Sequence, residues 1–182
     1  MYFFRFDVHT SEKDYIDYNL FWTLQSPYGR KQIRDVRIFL AFLAFAGVLV
    51  SLFRGNFTTA AFLGAIPYLI ILLLSQIFLT KAMPWAIKSQ IKGLKKNGKM
   101  GYSPDAVIEF LGDGFTETTP DNRTECKYSA IEQISIVENK AVYIHVNNIM
   151  AYILPMSCFA SREQYAAFLD FIKTKCAKVE MY

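Results

Sequence analysis

The residue types that carry most enzyme and metal chemistry are few in this 182-residue chain, and they are widely separated. The histidines, His9 and His145, have no cysteine, histidine or carboxylate at the spacing of a metal-binding motif. The cysteines, Cys126, Cys158 and Cys176, form no CxxC pair. Motifs of serine hydrolases, zinc peptidases and P-loop nucleotidases do not occur. We therefore expect no catalytic residue, no metal and no cofactor, and we interpret the chain as non-enzymatic.

One glycine-rich segment, Gly112-Asp113-Gly114, could be taken for a phosphate-binding loop. It lies between two β-type runs and does not open a helix, so it predicts a hairpin turn instead. Serine, threonine and cysteine side chains are present, but none has an obvious base nearby in the sequence. An enzyme acting at the membrane is therefore a less favoured alternative.

Lysine is the charged residue with the clearest pattern. Residues 81–101 contain six lysines and no acid, whereas residues 102–182 carry seven basic and eleven acidic residues, a net charge of −4. A folded domain with this charge is not expected to bind nucleic acid. The lysine-rich segment suits anionic phospholipid headgroups, which attract basic residues by about 1 kcal/mol each. The candidate contacts are Lys88, Lys92, Lys95, Lys96 and Lys99.

The same segment has helical periodicity, with Ile87, Ile91 and Leu94 on one side and lysines on another. Two arrangements fit this pattern equally well: a basic amphipathic helix lying on the inner leaflet, or a solvated stalk. Gly98 and Gly101 weaken the helix and mark a linker at its end.

Two uncharged apolar runs, Ile38–Phe53 and Ala60–Leu79, precede the lysines. A bilayer core about 30 Å thick requires roughly 20 helical residues. The second run has this length, and the first reaches it when extended back to Ile33, because Arg34 and Arg37 can extend to the headgroups. The runs predict a transmembrane hairpin with spans at 33–53 and 60–79; a buried hairpin in a soluble protein is the less favoured alternative.

The charges around the hairpin predict its orientation. The loop between the spans offers only Arg54, whereas basic residues flank the other ends of both spans. The positive-inside rule therefore places both termini in the cytoplasm, with the hairpin in the cell membrane. The basic residues before the first span are Arg30, Lys31, Arg34 and Arg37.

Small residues in the second span are spaced for helix packing. Ala60 with Gly64, and Ala61 with Ala65, form small-xxx-small pairs. They could join two protomers into a homo-oligomer. Packing within the hairpin, against Ala41, Ala44 or Gly47 of the first span, is the favoured interpretation.

The segments outside the hairpin alternate between strand and helix patterns. Tyr2–Val8 predicts a strand, and a helix begins at Thr10-Ser11 and stops near Pro27 or Gly29. After Gly101 the pattern is β-rich, and a capping box at Ser161 begins a final amphipathic helix. The expected strands are Ala106–Leu111, Phe115–Thr119, Arg123–Tyr128, Ile131–Val137, Val142–Val146 and Ile149–Leu154.

These elements predict an α+β membrane protein. We expect a two-helix transmembrane hairpin and a cytoplasmic antiparallel β roll or partly open barrel, similar to a pleckstrin-homology domain, closed by a C-terminal helix. The expected division is an N-terminal strand and amphipathic helix (1–32), the hairpin (33–80), a basic juxtamembrane segment (81–101) and the β domain (102–182).

Short hydrophobic motifs in the β domain resemble the YcxB-like family of bacterial membrane proteins. The order of elements along nearly the whole chain is also similar. The resemblance implies the membrane location and the pleckstrin-homology-like fold but no reaction. The residues that carry it are Tyr128-Ser129-Ala130-Ile131-Glu132-Gln133-Ile134, Ala151-Tyr152-Ile153-Leu154-Pro155, Phe159, Ser161 and Phe168.

The functional hypothesis is a membrane-anchored, non-enzymatic interaction module. Its β domain would bind a protein partner, or anionic lipid through the membrane-proximal lysines. The alternative is an accessory subunit of a transporter or channel that acts through the hairpin.

Overall fold

A computed structural model describes residues 3–98, 101–147 and 150–182. Its contacts divide the chain into two compact units. The β unit combines Met1–Tyr18 with Met100–Tyr182, and the helical unit is Asn19–Lys99. Helix α1 (Glu12–Leu24) contributes residues to both units. Tyr2 and Ile149, where two strands were expected to begin, lie outside the described residues.

Four strands form the first sheet, called sheet A, in the antiparallel order β1-β2-β3-β4. The N-terminal strand joins this sheet by pairing Phe6 with Ile108, although the helical unit separates the two residues in sequence. The hairpin turn expected at Gly112-Asp113-Gly114 connects β2 to β3. The strands are β1 (Phe4–His9), β2 (Asp105–Phe110), β3 (Gly114–Thr118) and β4 (Arg123–Lys127).

Four more strands form sheet B, in the order β7-β6-β5-β8. Asn139 has a φ of 56° in the turn between β5 and β6, a left-handed conformation that asparagine tolerates better than most residues. Pro155 lies in β7, an edge strand, where the missing backbone donor is acceptable. The strands are β5 (Gln133–Val137), β6 (Ala141–His145), β7 (Ala151–Pro155) and β8 (Val179–Met181).

The expected closing helix is followed by a strand that the sequence patterns did not predict. After α5 (Arg162–Lys173) the chain continues into β8, which pairs in parallel with β5. Sheet B is therefore mixed rather than antiparallel. Within the described ranges, no strand ladder joins sheets A and B into a closed barrel.

Helix α5 packs on the core between the two sheets. Phe168 and Ile172 are fully buried, and Phe168 meets Phe6 edge-on with ring centroids 5.0 Å apart. The capping box forms as expected in part: Ser161 Oγ accepts from the Gln164 amide at 3.2 Å. Gln164 reaches back one residue further than expected, to the amide of Ala160. The β unit is thus a mixed α+β fold with one aromatic-rich core.

The helical unit contains the expected pair of long apolar helices. Helix α2 (Pro27–Arg54) begins earlier than expected, because Ser26 caps it and Pro27 occupies its first turn. Helix α3 (Thr59–Ile77) follows after a short turn. A π-helical turn (Phe78–Ala82) then leads directly into α4 (Met83–Lys96).

Small residues pack α2 against α3. Ala44, Ala61 and Ala65 are buried, and a Cβ added at Gly47 would meet the Tyr68 ring at 2.3 Å. Ser51 Oγ also donates to the Ala61 carbonyl at 3.0 Å. These contacts confirm that Ala61 and Ala65 pack within the hairpin.

Candidate functional site

The hairpin exposes apolar side chains along its length. In the most apolar 18-residue stretch of each helix, only 6% of α2 and 11% of α3 is buried. The mean hydropathies are 2.4 for α2 and 2.1 for α3. Both helices are long and apolar enough to cross a membrane. Their low burial distinguishes them from the core helices of a soluble protein. Large exposed side chains include Phe39, Phe42, Phe45, Phe62, Leu63, Leu69, Leu73 and Phe78.

Charge lies unevenly along this hairpin. Since α2 and α3 run antiparallel, the start of α2 and the end of α3 lie at the same end of the hairpin. This end carries the arginines and lysine at the start of α2 and the lysines that follow α3, whereas the opposite end carries Arg54. Trp85, 73% exposed, lies in α4 just after the apolar span. We refer to this as the basic end of the hairpin.

The candidate lysines on α4 all lie on its exposed surface. Lys88, Lys92, Lys95 and Lys96 are exposed, while Ile91 is 7% exposed and Ile87 and Leu94 are half-buried. The helix is therefore amphipathic, as the periodicity predicted. The fifth candidate lies outside the described residues; it is Lys99.

Helix α4 continues directly from α3. The π turn widens the helix just before Pro84, which has no amide hydrogen for the usual bond to the preceding turn. At about 1.5 Å per residue, a straight continuation would place Lys88 about 14 Å and Lys96 about 26 Å beyond Leu79. The distance of each lysine from the membrane therefore differs between a stalk and a helix that lies on the leaflet.

A groove of about 490 Å³ lies in the β unit between β4 and the end of sheet B near β7. Tyr152 lines it and is 4% exposed, and its hydroxyl has no hydrogen-bond partner within the described ranges. Burial, with smaller effects of Glu117 and Cys126, raises the pKa of Tyr152. Sequence alternation placed Tyr152 in a strand but gave no sign that its hydroxyl would be buried. We call this the β4 groove.

Glu117 faces the apolar interior near this groove. In the sheet register it lies opposite Ile108 on the side that carries Phe115 and the core. Burial raises the pKa of its carboxyl group. A half-buried acid on an apolar face is costly when charged.

A second polar cluster lies on the outer face of sheet B. The Gln133 amide donates to Ser135 Oγ at 3.0 Å and to a Glu180 carboxylate oxygen at 3.2 Å, and the Tyr182 hydroxyl bonds to Glu180. His145 is directly opposite Gln133 and is 2% exposed. Burial lowers the pKa of His145 to about 4; Lys178 lowers it further and Glu180 opposes the shift.

Sequence reasoning placed His145 among apolar strand neighbours and missed this cluster. The polar groups reach it from β5 and from β8 rather than from its own strand. No local pattern reveals such a non-local pairing. The hydrogen bonds of Gln133, Ser135 and Glu180 are made inside the cluster, which suits a structural role.

A polar cavity of about 230 Å³ lies between the first residues of α1 and sheet B. Lys13, Asp14, Asp17 and Tyr143 line it. Asp14 already accepts from the Ser11 amide at 2.9 Å, and Ser11 Oγ accepts from the Asp14 amide at 3.2 Å, a reciprocal cap at the start of α1. Within the described ranges, no group of three or more His, Cys, Asp or Glu side chains is arranged to hold a metal ion.

Comparison with protein-family models gives a match within the β unit. Residues 110–172 match the family described as YcxB-like protein. This match confirms, over that segment, the family resemblance expected from the β-domain motifs. No curated protein and no solved structure matched the chain.

The motifs of the YcxB-like segment are mainly core positions. Tyr128 is 8% exposed and donates its hydroxyl to the Leu111 carbonyl at 2.7 Å. Phe168 and Leu154 are fully buried in the cluster between the sheets. The similarity therefore concerns packing residues and does not by itself identify a ligand.

Proposed function

We propose that this chain is an integral membrane protein that anchors its β unit at the cytoplasmic face of the cell membrane as a binding module. The observation that carries the proposal is the exposed apolar hairpin, bounded by basic residues at one end. In water that apolar surface would be unfavourable, whereas in a bilayer it meets lipid tails. The chain enters and leaves the hairpin at its basic end, so the β unit is attached there.

The positive-inside rule supports a cytoplasmic location for this end. Lys88 of α4 would then lie near anionic headgroups in either arrangement of α4, and Lys96 would lie near them in a helix on the leaflet. Lys88, Lys92 and Lys96 form no ion pair with a described carboxylate, so their charge is available to lipid. Headgroup attraction falls off within a Debye length of about 8–10 Å.

Binding is favoured over catalysis for the β unit. The polar groups around Gln133 and Glu180 and the acid at the start of α1 are engaged in hydrogen bonds or capping. The expected similarity to pleckstrin-homology domains is an analogy that favours recognition. The net charge of −4 for residues 102–182 makes a protein partner a better match for this surface than an anionic lipid.

Topology is the first test. Single cysteines placed at Asn56 in the hairpin turn, or at Lys92 on α4, would be labelled in intact cells with a membrane-impermeant maleimide, with the three native cysteines replaced by serine. In intact cells we expect labelling at position 56 but not at position 92. Position 92 should be labelled only after lysis. Labelling at both positions in intact cells would contradict the anchored arrangement.

Lipid contact is tested with the full-length protein in nanodiscs of phosphatidylcholine with or without phosphatidylglycerol. Replacing Lys88, Lys92, Lys95 and Lys96 with glutamine should reduce the enrichment of phosphatidylglycerol around the protein, measured by native mass spectrometry. Equal enrichment around the variant and the parent would show that these lysines do not bind anionic lipid.

Single variants then separate the two arrangements of α4. For a stalk, Lys88→Gln should reduce the enrichment and Lys96→Gln should not. For a helix on the leaflet, both should act similarly.

Partner binding is tested by photo-crosslinking in cells, with the crosslinker at Asp7 or Lys173 of the β unit, or at Phe62 of the hairpin. All three side chains are exposed. A specific protein adduct from the β-unit positions supports the binding module. Adducts from Phe62 alone would favour the accessory-subunit alternative.

A further inference from the structure

Strand β4 is an open edge of sheet A, since it pairs only with β3 within the described ranges. The Tyr128 amide donates to the Asp113 carbonyl at 3.3 Å, and the Thr119 amide donates to the Asn122 carbonyl at 2.8 Å. These bonds show that the even-numbered residues of β4 direct their backbone groups toward β3. Because the direction alternates, Arg123, Glu125 and Lys127 direct theirs toward the open edge. The Arg123 amide donates there to Oδ1 of its neighbour Asn122 at 2.9 Å, a bond that a pairing strand would replace. Such an edge can accept another strand.

The side chains along this edge alternate in charge. Arg123, Glu125 and Lys127 are exposed on the outer face of sheet A, and Asp121 precedes them in the turn. The order is therefore acid, base, acid, base at every second residue. The intervening Thr124 and Cys126 face the β4 groove and carry no formal charge.

The alternating charges of β4 are complementary to those of a second, antiparallel copy of β4 when the two strands are shifted by two residues. With two antiparallel copies of β4 in complete overlap, Glu125 would face Glu125, and Arg123 would face Lys127; both contacts oppose like charges. A shift of two residues places Arg123 opposite Glu125 of the second copy, and the converse pair follows by symmetry. The same shift brings Lys127 toward Asp121 of the second copy.

We propose that β4 is a self-association surface, on which two copies of this chain pair β4 with β4 in the antiparallel register that sets Arg123 opposite Glu125. Each chain would contribute the same edge, as a two-fold interface requires. The charges also discriminate against other strands, since a partner without the matching alternation would place like charges in contact. Confinement to a membrane would raise the effective concentration of the two copies.

The register also brings a polar side chain to the β4 groove. Asn122 of the second copy would lie opposite Cys126, on the inner side of the ladder. This is the side on which the buried Tyr152 hydroxyl lines the groove without a described hydrogen-bond partner. In the single chain the Asn122 Oδ1 accepts from the Arg123 amide, and pairing of that amide with the second copy would free the Asn122 side chain. Its amide could then both donate to and accept from the Tyr152 hydroxyl.

The proposal depends neither on lipid charge nor on an external protein partner. The test therefore uses full-length chains, tagged with donor or acceptor fluorescent proteins, in pure phosphatidylcholine vesicles. Energy transfer is measured as the protein-to-lipid ratio is raised. Arg123→Glu and Glu125→Arg are the two charge reversals. Their side chains are 60% and 73% exposed, so folding should tolerate both.

We expect each reversal alone to weaken self-association roughly tenfold, because both symmetric pairs become like-charged. A mixture of the R123E chain with the E125R chain should restore association, since every opposed pair is again of opposite sign. The ion pair between Arg123 and Glu125 within one chain, at 3.5 Å, cannot produce this rescue between chains. The proposal would be overturned if neither reversal weakened self-association, or if the parent protein did not associate.

Disulfide trapping tests the register independently. Residue 124 would face itself in a pair without backbone hydrogen bonds, with Cα atoms about 4.5 Å apart, which a disulfide can bridge. T124C/C126S should therefore form a disulfide-linked dimer under mild oxidation, and N122C should crosslink to the native Cys126. The parent chain should not crosslink through Cys126. Crosslinking of the parent at Cys126 without T124C/C126S crosslinking would contradict the register.

Discussion

Tyr18 of α1 packs against Tyr143 of β6, with ring centroids 5.1 Å apart and planes inclined by 66°. The contact covers the outer face of sheet B, where a solvent-exposed face would have been expected from simple alternation. Burial raises the pKa of Tyr18 to about 12 and also raises the pKa of Tyr143. Helix α1 is thus part of the β unit's packing as well as a connection to the hairpin.

Removing the Tyr18 ring should destabilise the β unit. We expect Tyr18→Ala to lower the free energy of unfolding by about 2–3 kcal/mol, because it leaves a cavity over Tyr143. Tyr18→Phe should retain most of the stability. The measurement is the urea dependence of thiol labelling at Cys176, which is buried in the core. Equal midpoints for the alanine variant and the parent would show that this contact contributes little.

Acid should destabilise the β unit through His145. Its pKa is about 4 in the folded chain, because of burial first and of Lys178 second, and about 6.5 when unfolded. The unfolded chain therefore binds this proton first as the pH falls. The His145 contribution is complete above pH 6.5 and is lost progressively toward pH 4, amounting to at most about 3 kcal/mol.

The His145→Gln variant should remove this part of the pH dependence. Urea midpoints between pH 4 and 7, read from Cys176 with 4,4′-dithiodipyridine, which reacts with thiols in acid, would measure it. His9→Gln is the matched control, because His9 is exposed beside Asp105. An unchanged slope in the His145 variant would contradict the prediction.

Glu117 should have the opposite pH dependence. Burial raises its pKa in the folded chain, so its protonated form is favoured there. Its stabilising contribution is complete at low pH and is lost as the pH rises through the raised pKa. Glu117→Gln should therefore make the β unit more stable than the parent at pH 8, with the two converging near pH 4. Glu132→Gln, at an exposed site, should change the Cys176 midpoint little.

Local patterns predicted most of the elements, because their signals lie within each segment. The capping residue Ser161, the turn at Gly112-Asp113-Gly114 and the uncharged run Ala60–Leu79 each depend on neighbouring residues alone. The expected strands differ from the observed strands by one or two residues at most ends. The lysine face of α4 followed from periodicity in the same way.

Non-local pairings were not predictable from those signals. The three-residue strand β8 exists because Val179 and Met181 pair with β5, and its own sequence is too short to show alternation. The cluster around His145 depends on that pairing. The β4 groove likewise arises where β4 and Tyr152 of β7 come together from different sheets. Helix α2 begins before Ile33 because Ser26 caps it. The predicted start at Ile33 came instead from the number of residues needed to cross the bilayer.

Gly29 is the glycine on which the α1–α2 junction depends. A Cβ there would lie 2.2 Å from the Trp22 carbonyl oxygen and 2.3 Å from that of Thr23, and both are backbone atoms that cannot move aside independently. The Gly29 amide also donates to Ser26 Oγ at 2.9 Å, within the cap of α2. Gly29→Ala should therefore separate α1 from α2 and destabilise the helical unit by about 2 kcal/mol or more.

Gly93 provides the matched control within the same unit. It lies in the interior of α4 with nothing within 4 Å of an added Cβ. Gly93→Ala should therefore stabilise the helix by about 0.5–1 kcal/mol, because alanine loses less conformational entropy on folding. The measurement is thermal unfolding of the detergent-solubilised full-length protein, followed by the fluorescence of Trp22 and Trp85. A lower melting temperature for G29A and an equal or higher one for G93A would show that close approach at the junction, rather than helix propensity, requires glycine at position 29. Similar shifts in both variants would contradict this.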